Sequence, residues 1–208
     1  MSFMDWPIEP EGRERRGHKR RRKIALRLID AFARVFPAIK YTLIWDSRII
    51  NAQAWLGEAR NVYLYGALVR HPAITRAGLA LTLAHETGHH LGGPPRDPAM
   101  RWMTWQGQAD YWAARVGMPA VFGDAAAQIT ARGAREIVAL QRRLHVSDCG
   151  IGDLAPETRL AIFDAGRRGE IFPRNAIGGR DEQFDGKREL DHGSPDQHCG
   201  NANPATLF

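Results

Sequence analysis

Apolar positions recur along this chain with two periods, and together they predict an α+β domain. Ile24, Leu28, Phe32 and Val35 repeat at helical spacing, and Pro37 stops the helix. Tyr41 to Trp45 is short and rich in β-formers, so it reads as a strand. Asn61 to Val69 reads as a second strand, and the segment between them as a further strand and a turn. His71-Pro72 ends this part. From Ala73 to Leu91, the residues Ile74, Ala77, Leu81, Ala84 and Leu91 form one helical stripe, closed by Gly92, Gly93, Pro94 and Pro95. Thr104 is a candidate N-cap for the next helix, whose inner face is Trp105, Ala109, Trp112 and Val116. Gly117 and Pro119 mark its end. A fourth helix is expected over 124–144, with Ile137, Leu140 and Leu144 inward.

The expected architecture is zincin-like: a small, mostly antiparallel sheet with an edge strand over the second helix, 73–91, followed by further helices. Beyond Phe163 the chain turns Gly-, Asp- and Arg-rich and loses its period. The organisation expected is a basic N-terminal arm (1–23), a domain (24–165) and an irregular C-terminal tail (166–208).

Composition adds little to the fold and something to the partners. The chain has 208 residues, 44% of them hydrophobic, enough for one domain with a real core. Its net charge is +6, of which +4 falls in residues 1–23, with eight Lys/Arg against four acids. A basic run of this kind is either a solvated arm or a phosphate-binding arm for nucleic acid or anionic lipid. No secretory signal and no membrane-spanning stretch is read, and Cys149 and Cys199 are read as reduced thiols. A cytoplasmic protein is the expectation.

The chemistry lies in "LTLAHETGHHLGGPP", Leu81 to Pro95. His85 and His89 stand four apart, so a helix projects both from one face toward one zinc ion. Glu86 is the candidate general base, able to take a proton from an attacking water and pass it to a leaving amine. Gly88 leaves space beside the metal. His90, a further 100° round the helix, is a candidate support or substrate contact rather than a ligand. The bland alternative is a pair of helix-end histidines satisfied by hydrogen bonds.

The third ligand is sought on the following helix. Gln106 to Ala114 (QGQADYWAA) resembles the second motif of gluzincin peptidases, and of the HtpX-like/CAAX prenyl protease family and ImmA/IrrE-type proteins in particular. "VGMP" (116–119), "INAQAW" (50–55) and "YLYGALV" (63–69) are similar to neighbouring segments of those families. The resemblance covers about residues 40–120. It implies a zinc-dependent endopeptidase acting on a peptide or protein substrate. In the family pattern a glutamate stands where this chain has Gln106, and an aspartate matching Asp110 orients the first histidine. Three arrangements stay open: Asp110 as the anionic ligand, Gln106 as a weak ligand with Asp110 behind His85, or two histidines with water. Asp110 is the preferred ligand because two neutral imidazoles need negative charge to hold a dication. The substrate is expected to pair with an edge strand near Asn61 to Gly66, bordered by Tyr63 and Tyr65. The alternative function is a catalytically weakened zincin-fold regulatory or binding protein, its basic arm contacting nucleic acid or a protein partner.

Overall fold

In the computed structural model, residues 16–144 and 154–173 are described. Cys149, Cys199, most of the expected arm and most of the expected tail lie outside them.

The first helix, α1 (Arg16–Val35), buries Ala25, Leu28, Ile29 and Phe32 along one side. The expected arm therefore ends earlier than composition suggests: residues 16–23 are the opening turns of α1. Arg21 shows why they are ordered. Its Nη1 donates to the carbonyls of Val69, His71 and Ile74 at 2.8–3.0 Å.

Three strands follow, β1 (Ile39–Ile44), β2 (Ala52–Leu56) and β3 (Arg60–Tyr65), in the spatial order β1-β3-β2. The sheet is mixed, which corrects the expected, mostly antiparallel one. A tight turn at 57–59 makes β2 and β3 an antiparallel hairpin, with Ala54 opposite Val62. Segment 45–51 then carries the chain across, so β1 pairs with the other side of β3 and lies parallel to it. β3 is thus central, and the edge strand beside the motif helix is β2, not the expected 61–66 segment. The backbone also leaves the sheet sooner than expected, entering a short helix, α2 (Gly66–Arg70), at once. A Cβ on Gly66 would lie 1.8 Å from the Trp45 carbonyl oxygen, so only glycine allows that turn.

The long central helix α3 (Arg76–Leu91) is capped at its start by Thr75, whose side chain accepts from Ala77 N–H. Glu136 reinforces that end from a distant helix, its carboxylate accepting from the Thr75 and Gly78 N–H groups and the Thr75 hydroxyl at 2.7–3.1 Å. Every residue from Ala77 to His90 is buried. α3 is enclosed by α1, the inner sheet face (Ile39, Ala52, Val62, Leu64) and α6 (Ala126–Arg143), within a core that includes Phe32, Leu68, Leu81 and Ile137.

After a loop (92–105), α4 (Gln106–Trp112) passes through a wide π-type turn (Ala113–Gly117) into α5 (Met118–Phe122). Gly117 and Pro119 therefore do not end the helical path, because Pro119 sits in the first turn of α5, where no N–H is required. Thr104 is not the cap expected: its hydroxyl donates to Gly93 O, and Trp105 holds the N-cap position. The last described helix, α7 (Pro156–Arg168), closes on Gly169 in the left-handed conformation. It extends the folded part past the expected boundary at 165. Among the described residues no helix is long and apolar enough to cross a membrane.

Candidate metal centre

Burial and close helix packing build the site. A Cβ on Gly88 would lie 2.8 Å from Ala109 O and 3.1 Å from its Cα. Its absence lets α3 and α4 touch backbone to backbone, and this brings Asp110 of α4 onto His85.

His85 and His89 are each at least 97% buried, with ring centroids 4.5 Å apart and planes crossing at 79°. Ligand atoms of His85, Glu86 and His89 all lie within 4.8 Å of one another. The His89 tautomer follows from its partner. Nδ1 is 2.8 Å from Thr104 O, a carbonyl that can only accept, so Nδ1 carries the proton and Nε2 keeps a lone pair. Burial, with His85 beside it, pushes the His89 imidazole down to about 3, so it is neutral at physiological pH. His85 Nε2 is buried without a hydrogen-bond partner. An orphaned imidazole nitrogen in a dry interior costs free energy unless something occupies it.

Glu86 is also buried. Burial pushes its carboxyl up from the ordinary value, while His85 and the Ala54 N–H that faces it from β2 pull the other way. Thr87, between Glu86 and Gly88, ties the helix to the sheet. Its hydroxyl donates to Leu83 O at 2.7 Å and accepts from Tyr41 OH at 2.8 Å. Burial raises that tyrosine to about 12.

Asp110, the preferred ligand on sequence grounds, is placed behind His85. Its Oδ1 lies 2.7 Å from His85 Nδ1, although the ring does not present that nitrogen squarely. Both its oxygens are also gripped by the Arg159 guanidinium of α7, at 2.7 and 2.8 Å. Burial alone would push the Asp110 carboxyl up, but Arg159 and His85 overcome it and hold it at about 2. Gln106, the alternative, has a buried side-chain oxygen with no partner.

His90 faces another way. Its Nε2 donates to Asn61 O at 2.9 Å, and its ring stacks on Trp102 at 5.1 Å. It braces the end of α3 against β3 and the 92–105 loop. Tyr63 stands on β3 opposite Gln53 of β2, and Tyr65, two residues further on, donates to Gln53 Oε1.

Sequence reasoning missed Arg159, the Thr104 carbonyl and the Ala54 N–H. The two backbone groups left no mark in the sequence. Arg159 did: with Ile162, Phe163 and Gly166 it completes an i, i+3, i+4, i+7 inward face, where a guanidinium needs a buried anion.

Comparison of the chain with protein-family models, curated proteins and solved structures finds no match. The class rests on the site: a group of His85, Glu86 and His89 able to hold a metal ion, in an α+β fold.

Proposed function

We propose that the protein is a zinc-dependent endopeptidase. The observation that carries this reading is the convergence of the buried His89 Nε2, which keeps its lone pair, and the buried, partnerless His85 Nε2 beside the buried Glu86 carboxyl. Neutral imidazoles suit zinc, and the orphaned His85 nitrogen gives the ion a place. A zinc ion held there would polarise a peptide carbonyl and acidify a water molecule.

The chain's own residues do the rest. Glu86, with a raised pKa, is suited to accept a proton from water and hand it on to the departing amine. Asp110 orients His85, and Arg159 keeps that aspartate ionised and in place. With both Asp110 oxygens engaged, the orphaned Oε1 of Gln106 is the better third protein ligand. An amide oxygen is neutral and binds zinc less well than a carboxylate. β2, whose Ala54 N–H faces Glu86, is the strand along which an extended substrate would pair. Exposed Trp55 and Leu56 give its far end an apolar rim.

Elemental analysis of protein purified without chelator should find about one zinc per chain, and none in His85→Ala. Glu86→Gln should keep the zinc and lose casein hydrolysis by on the order of 10² or more. In chelator titration Gln106→Glu should tighten zinc, and Asp110→Asn should weaken it by roughly 10–100-fold. Equal zinc in wild type and His85→Ala would sink the metal site. Zinc without hydrolysis would leave a zincin-type binding protein.

A further inference from the structure

Residues Arg16 to Arg27 hold seven Lys/Arg and no Asp/Glu. The whole chain is +6, so everything outside these twelve residues sums to −1. The net charge of the protein is a property of the first half of α1.

Local physics opposes that placement. The N-terminal end of a helix is its positive pole, and cations there are unfavourable. α1 has no acid in its first turn. Lys19, Lys23 and Arg27 repel one another at i, i+4, as do Lys19/Arg22 and Arg20/Lys23 at i, i+3. Among the described residues no carboxylate offsets them, since the ion pairs fall on Asp110, Glu136, Glu157, Asp164 and Glu170. One arginine of the run, Arg21, turns inward to cap three carbonyls; Lys19, Arg20, Arg22, Lys23 and Arg27 are exposed. α1 is helical because its other side is buried in the core, not because this face favours a helix. A face kept against its own stability is suited to an anion from outside.

The kind of anion follows from what accompanies the charge. Lys19, Lys23 and Arg27 form a row with steps of about 6 Å, flanked by Arg20 and Arg22. A helix that lies in a membrane surface inserts its apolar face, but the apolar face of α1 is inside the protein. A single-strand binder stacks bases on free aromatics, but among the described residues the aromatic shown beside the row, Trp45, already has the Arg22 and Arg70 guanidiniums over its ring at 5.5 and 5.0 Å. What remains is a charged ridge that contacts phosphates and reads no base.

We propose that this face of α1 docks the phosphate backbone of duplex nucleic acid without sequence preference. The test is fluorescence anisotropy with the full chain and a short, labelled, mixed-sequence DNA duplex. Four simultaneous phosphate contacts would give a log–log salt slope of about −3.6. The triple variant K19E/K23E/R27E should bind more weakly by on the order of tenfold or more at low salt. Its Tm should stay close to that of wild type, because K19E and K23E put acids three residues from Arg22 and Arg20 on the exposed face; this excludes misfolding as the cause. Phosphatidylserine vesicles should bind less tightly than the duplex in the same buffer. The proposal is overturned if wild type fails to bind duplex at low salt or if the triple variant binds as well. Tighter binding to vesicles than to duplex would overturn it too, naming a lipid surface instead.

Discussion

α1 and α3 obey opposite electrostatic logic within one small fold. In α3 most polar side chains answer to a partner on another element: Glu136 at its N-terminal end, Thr104 at His89, Tyr41 at Thr87, Asp110 at His85. In α1 the cations crowd the wrong pole and have no anionic partner among the described residues. The contrast teaches where to look for selection beyond stability. A buried polar cluster that is nearly satisfied points inward, to a ligand in the remaining gap. A surface that lowers the stability of its own helix points outward.

The comparison implies that changes around α3 are costly and changes on the exposed basic face of α1 are not. The largest effect is expected at Arg159→Met, which strips Asp110 of its guanidinium and leaves a charge buried. Stability should fall by about 3–5 kcal/mol in urea unfolding. Adding Asp110→Asn should recover much of that, since no uncompensated charge is then buried; an additive double mutant would contradict the pairing. Gly88→Ala comes next. The new methyl meets the Ala109 backbone, so α4 must move away, at a cost of about 1–3 kcal/mol with weaker zinc retention. An alanine variant of wild-type stability would mean that the two helices are not in close register. The smallest effect has the opposite sign: Lys23→Glu alone should raise stability by about 0.5–1 kcal/mol at low salt, because it turns the i, i+4 repulsions with Lys19 and Arg27 into attractions, a gain that shrinks as salt is added. A loss would show that the basic face is paired after all.

The helices of this fold were legible where their stripes are regular. Leu28 and Phe32 marked α1, and Ile74, Leu81 and Ala84 marked α3. The sheet was legible in its strands but not in their order, because pairing depends on how segment 45–51 crosses the chain, and no residue pattern encodes that path. The histidine pair and Glu86 could be read because a helix turns sequence spacing into geometry. The neighbours of that pair could not, because they come from backbone carbonyls and from α7. Asp110 illustrates the limit: its charge pointed to a ligand, and only the packing of Arg159 shows that its oxygens are already taken.

That packing also sets an order of events. Asp110 and Arg159 are 49 residues apart in the chain. During synthesis α3 and α4 emerge well before α7, whereas a domain generally folds as a unit. Until Pro156–Arg168 is made, the aspartate behind His85 has no guanidinium and is not driven into the interior as an ion. The brace behind His85 therefore comes from the last described helix rather than from the one that bears the histidines. A chain interrupted short of α7 carries the whole His-Glu-x-x-His motif and still lacks the brace that aligns it.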